Sequence, residues 1–96
     1  MKTCWLEKAV VDIEEAFEFI FFDNPQAAEN EINKVLEAVK RLSENPGMGK
    51  AGRVPKTREL FVAGTPYIVI CRGKGNRLEI LRIFHGARQW PKIRRK

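Results

Sequence analysis

Tyr67-Ile68-Val69-Ile70-Cys71-Arg72, Gly73-Lys74-Gly75-Asn76, Arg77-Leu78-Glu79-Ile80-Leu81-Arg82-Ile83-Phe84-His85: an apolar run, a glycine-rich break, a second apolar run. The first run is continuous and rich in β-branched residues, as in a central strand. The break has the composition of a hairpin turn. Alternation along the second run puts Leu78, Ile80 and Phe84 on one face, and Glu79, Leu81, Ile83 and His85 on the other. Arg82 falls in the first set. A charged residue on a face fit for burial needs a partner or an opening to water. Beyond it come His85, the only histidine, then Gly86 and Arg88. The glycine leaves room for a close backbone approach. Arg82, His85 and Arg88 near a strand end therefore form a candidate anion site.

Working outward, Thr57 to Val62 reads as another strand, with Arg58, Leu60 and Val62 on one face. The turn Gly64-Thr65-Pro66 joins it to the hairpin. Three strands linked by tight turns make an antiparallel meander. Met48 to Lys56 is a basic, glycine-containing stretch with Lys50, Arg53 and Lys56, expected as a mobile loop. Upstream, Ala9, Ile13, Ala16, Phe17 and Ile20 recur at helical spacing, predicting a helix over 7–22. Phe21 and Phe22 exceed what one packed face requires, and suit a helix junction or a surface covered by a partner. Asn24 and Pro25 then supply an N-cap and a first helical residue. Ala28, Ile32, Val35, Leu36, Val39 and Leu42 stripe a second helix to about Glu44, where Asn45-Pro46-Gly47 stops it. Asp12, Glu14, Glu15, Glu18, Glu29, Glu31 and Glu37 are expected on solvated outer faces. Lys2 to Trp5 reads as a short first strand. The expected architecture is α+β: an N-terminal strand and an antiparallel helical hairpin packed on one face of a small, mainly antiparallel sheet. The other sheet face is left to carry function.

The chain of 96 residues suits a single domain, 1–96, with a basic tail from about 91. No apolar run is long enough to span a membrane, and no signal-like segment opens the chain, so a cytoplasmic location without membrane partners is expected. Two cysteines, Cys4 and Cys71, are too few for a disulfide framework or a zinc site, and neither metal nor cofactor is expected. Charge is divided unevenly. Residues 1–49 hold 5 Lys/Arg and 10 Asp/Glu, a net of −5, whereas residues 50–96 hold 13 and 2, a net of +11. Such asymmetry points to a polyanionic partner, nucleic acid or an acidic protein.

Several blocks occur in order along nearly the whole chain: Ala9, Asp12 and Ile13 after Trp5; Asn24-Pro25 with Ala27-Ala28; Asn45-Pro46-Gly47; Gly52-Arg53-Val54; Thr57-Arg58-Glu59-Leu60; Thr65-Pro66-Tyr67-Ile68-Val69; Glu79-Ile80-Leu81-Arg82; and His85-Gly86-Ala87-Arg88-Gln89-Trp90-Pro91. In these the chain resembles the RelE/ParE superfamily of toxins from bacterial type II toxin–antitoxin systems. Leu6 departs from the Thr or Ser with which relatives cap the first helix. The resemblance implies a growth-arresting toxin and a cognate antitoxin that wraps it with a helix and an extended segment. It leaves two targets open. RelE-like members cleave mRNA on the ribosome; ParE-like members inhibit DNA gyrase and are not known as nucleases. His85 and the arginines suit the first, and the long hairpin suits the second.

The reading favoured here is a ribosome-dependent, metal-independent mRNA endonuclease, with gyrase inhibition as the alternative. Cleavage of that kind needs proton transfer and a stabilised phosphate. Imidazole titrates near ~6.5, and guanidinium grips phosphate with two parallel bonds. On that basis Arg58, Arg82 and His85 are the candidate catalytic residues. Lys50, Arg53, Lys56, Arg88 and Lys92 are candidate RNA- or phosphate-binding residues. Structural roles compete: Arg58 can pair with Glu59 or Glu79, Arg82 with a helix carboxylate, and His85 can cap the strand end.

Overall fold

The computed structural model describes residues Met1 to Gly86. Arg88, Trp90 and Lys92, and the basic tail, lie outside the described residues. The elements are β1 (Lys2–Trp5), α1 (Glu7–Asp23), α2 (Pro25–Glu44), a 3₁₀ turn (Pro46–Met48), β2 (Lys50–Ala51), β3 (Arg58–Phe61), β4 (Tyr67–Lys74) and β5 (Arg77–His85). Two helices pack on a five-stranded sheet ordered β1-β5-β4-β3-β2. The meander β3-β4-β5 is antiparallel. The first strand lies parallel to the last, with Lys2 opposite Arg77 and Trp5 opposite Ile80.

One residue ends the first helix and begins the second. The Asn24 backbone N–H donates to the Ile20 carbonyl, while its side-chain oxygen accepts from the Ala27 N–H at 3.1 Å. Pro25 follows where a missing N–H costs nothing. Leu6 gives α1 no side-chain cap; its own N–H continues the sheet to the Ile80 carbonyl. The main core lies between hairpin and sheet. Ala9, Val35 and Leu42 meet Val69, Cys71 and Ile80 there, all fully buried. Burial of each large aliphatic contributes about 1.5–3 kcal/mol.

Three features of the sheet depart from what the sequence predicts. First, β4 runs on to Lys74, so the turn narrows to Gly75-Asn76. Gly75 has φ +62°, the left-handed backbone that a two-residue hairpin loop asks of its first position. Second, strict alternation fails along β5. Ile70 stands opposite Arg82 but Cys71 opposite Ile80, which leaves Leu81 as an extra, bulged residue. The bulge inverts the alternation beyond it. Ile83 joins Leu78 and Ile80 in the main core, while Phe84 turns to the far face with Ile68 and Ile70. Third, the stretch expected as a mobile loop is knitted together. Gly52 N–H donates to Thr57 O at 2.8 Å, Thr57 Oγ1 to Val54 O, and Arg58 Nη1 to Gly49 O at 2.8 Å. Lys50 and Ala51 pair with β3 as an edge strand.

Candidate functional site

β1 covers the flank of β5 only as far as Ile80. Past that point the strand's outward N–H groups need other acceptors. Asp12 of α1 fills the gap. Its Oδ2 accepts from the Ile83 N–H at 2.9 Å and from Arg82 Nε at 2.7 Å, and its Oδ1 accepts from Arg82 Nη2 at 3.0 Å. The pair is largely enclosed, with side-chain exposures of 26% for Arg82 and 11% for Asp12. Arg82 also stacks on the Phe84 ring, 4.5 Å from its centroid. The hydrogen bond to Asp12 raises the Arg82 pKa above its ordinary value, against burial, which lowers it. Asp12 therefore points inward and is not on the solvated face where the sequence reading put it. Its position fits the helical stripe, since it falls one turn after Ala9 and one before Ala16.

His85 projects to the opposite side of β5 from Arg82. It stands across from Tyr67, and the two rings meet edge-on at 5.7 Å. Both line a recess of about 340 Å³ with Asp12, Glu15, Ala16 and Phe19. The acidic helix thus faces His85. Arg58 is distant from His85. It stands opposite Cys71, whereas His85 stands opposite Tyr67, four positions along β4. That is about 13 Å at the rise of a strand. Cross-strand partners share a face, so Arg58 sides with Cys71 on the helix side and Arg82 with Ile70 on the far side. The expected convergence of Arg58, Arg82 and His85 on one phosphate pocket is absent from the described residues.

Two of the three loop cations are also engaged. Arg53 holds the buried Glu59 carboxylate through its backbone N–H at 3.0 Å and through Nε and Nη2 at 3.3 and 3.4 Å. Burial raises the Glu59 pKa, but the Arg53 N–H and guanidinium, with Lys50 nearby, bring it below the usual carboxylate value. Lys50 Nζ sits over the Phe61 ring at 4.9 Å. Lys56 is exposed at a left-handed turn position, φ 68°. On the same sheet face Arg72 donates to Glu79 at 2.7 Å, with Arg77 at 3.6 Å. The Arg72 hydrogen bond and the surrounding cations lower the Glu79 pKa. Arg58 pairs with neither glutamate and instead holds Gly49 O, so the bridge considered for it goes to other arginines. Gly86 meets its expectation. Its N–H donates to Pro66 O, and a Cβ there would stand 3.0 Å from that oxygen.

The helical hairpin is the opposite case. Phe19 is 77% exposed and Phe22 92%, with Phe21, Val10, Val11 and Leu36 also open to solvent. Among the described residues no group of three or more His, Cys, Asp or Glu could hold a metal, and no helix is long and apolar enough to cross a membrane.

Residues 4–90 match the family described as the ParE toxin of the type II toxin–antitoxin system parDE. The protein Y4kP of Sinorhizobium fredii (strain NBRC 101917 / NGR234) is 36% identical over 89 residues, spanning 93% of this chain and 92% of that protein. A solved chain of the chromosomal ParDE system from P. aeruginosa superposes with a TM-score of 0.81 at 30% identity, covering 88% of this chain and 95% of that one.

Proposed function

The chain belongs to the ParE toxin family of type II toxin–antitoxin systems, and from that premise we propose that it arrests growth by binding DNA gyrase and not by cutting mRNA. A toxin of a ParDE-type pair has a cognate antitoxin as its partner. The target is the finer step, and one observation carries it: the guanidinium best placed to clamp a phosphate is already occupied. Arg82 spends Nε and Nη2 on Asp12, and Arg58 and Arg82 leave the sheet on opposite faces. A nuclease needs its phosphate donors preorganised around one point. A binding protein needs only an accessible surface and a firm scaffold, and both are present.

In this reading Arg82 fastens α1 to β5 and Arg58 anchors the β2–β3 loop. The test sets two assays side by side. Purified toxin should inhibit gyrase supercoiling at micromolar concentration, and transcripts from arrested cells should stay intact by primer extension. Cut transcripts with uninhibited gyrase would reverse the assignment in favour of the ribosome-dependent endonuclease.

A further inference from the structure

Three cations stand in one row at the β4–β5 turn end of the sheet. Lys74 faces Arg77 across β4 and β5, and Arg77 faces Lys2 across β5 and β1. Cross-strand partners share a face, so the three side chains leave the sheet together, on the face of Arg72 and Glu79 and away from the helices. The Lys2 N–H donates to Asn76 O at 3.4 Å, which fixes β1 beside the turn. Arg72 sits two residues before Lys74 and holds Glu79. One carboxylate thus serves four cations, and it is only 5% exposed. The Arg72 and Arg77 side chains are 41% and 49% exposed, and both lysines are exposed. Among the described residues neither lysine has an ion-pair partner.

Such a row works against folding, because like charges directly across strands oppose pairing. Lysine serves to blunt an edge strand, and that accounts for Lys2 on β1. It does not account for Arg77 and Lys74, since β5 and β4 are interior strands. An anion supplied from outside does. Neighbouring strands lie about 4.8 Å apart, so the row is about 10 Å long. One strand of duplex DNA presents a phosphate every ~3.4 Å along its axis, about three over that length. An extended acidic peptide presents side chains to one face only every ~6.8 Å, which leaves one of the three cations unmet. A lipid surface favours cations set beside apolar side chains that can enter it. The exposed Phe19 instead lines the recess beside His85, at the other end of β5 from Arg77. We propose that Lys2, Arg77 and Lys74, with Arg72 beside them, grip the phosphate backbone of duplex DNA. The inference deepens the gyrase reading and rests on it for the source of the duplex: a toxin seated on gyrase also holds the enzyme's DNA.

The test titrates a fluorescent 20-base-pair duplex with the protein at salt concentrations from 50 to 200 mM. K2Q/K74Q removes the two lysines of the row, and circular dichroism should show its fold unchanged. K8Q/K40Q removes two exposed helix lysines as the charge-matched control. The slope of log affinity against log salt should shrink by about 2 in K2Q/K74Q and stay near the wild-type value in K8Q/K40Q. Equal slopes in all three proteins, an equal change in both variants, or no binding at 50 mM salt overturns the proposal. So does a polyglutamate peptide, or a phosphatidylserine vesicle, that wild type binds more tightly than the duplex and K2Q/K74Q does not bind. Gyrase supercoiling is read beside the titration. Weaker inhibition by K2Q/K74Q than by K8Q/K40Q ties the row to gyrase's DNA, and equal inhibition overturns that link. A gyrase untouched by every form of the protein defeats the gyrase reading alone, and the duplex titration then decides the row unaided.

Discussion

The open end of β5 and the outer face of the helical hairpin both break the rules of a quiet surface, but in opposite ways. At the strand end an arginine sits among apolar side chains, and its needs are met from within: Asp12 takes the guanidinium and the Ile83 N–H together. On the hairpin, phenylalanines face water and the described residues offer no cover. An unusual residue with its interactions satisfied contributes to architecture. An unusual residue left unsatisfied is evidence of something that arrives later. Arg82 falls in the first class, and the surplus phenylalanines of the hairpin in the second.

The contrast can be broken most forcefully at Asp12. Asp12→Ala leaves an enclosed guanidinium and a strand N–H without their acceptor, and should cost about 3 kcal/mol, the low end for breaking a buried pair. Urea unfolding would register it as a lower midpoint; a loss under 1 kcal/mol would show that the link is ornamental. Arg82→Ala should cost less, about 1–2 kcal/mol, because the carboxylate keeps the Ile83 N–H. Toxicity in that variant should track the folded fraction. Abolished toxicity in a fully folded protein would return Arg82 to catalysis.

Acid sharpens the same comparison through Glu59. Its folded pKa lies below the ordinary 4.5. The stability it contributes is present above that ordinary value and is lost as pH falls through the folded pKa. Unfolding free energy should therefore decline below about pH 4.5, and E59Q should flatten that decline. Equal slopes in the two proteins would remove Glu59 from the account. Arg58→Ala comes next, at about 1 kcal/mol for the lost bond to Gly49 O, read as faster hydrogen exchange confined to the β2–β3 loop. Smallest of all, F22S should change stability by no more than about 0.5 kcal/mol while antitoxin or target capture falls. A large loss of stability would mean that the ring supports the fold.

The helices were legible because each feature is local. The stripe of Ala28, Val35 and Leu42 repeats at helical spacing, and Asn24-Pro25 is a cap written in two residues. The β4–β5 hairpin was legible for the same reason. What escaped was non-local or one residue wide. Nothing in the composition of β5 marks Leu81 as a bulge, yet a slip of one residue sends every later side chain to the other face. That single error placed Phe84 in the wrong core and left Ile83 out of the right one. Asp12 was misread because a carboxylate on a helix usually faces solvent. Its neighbours Ala9 and Ile13 on the buried stripe were the available signal. The edge strand Lys50–Ala51 is too short for any periodicity to register.

The parallel pairing of β1 with β5 carries a temporal consequence. The opening strand has its sheet neighbour at the far end of the described chain, Lys2 beside Arg77. During synthesis it must wait, unzipped, while the helices and the meander emerge, since contacts so distant along the chain form late. The β1 flank of the sheet is thus closed only after β5 has left the ribosome, which makes that pairing the last seam of the fold to be sewn.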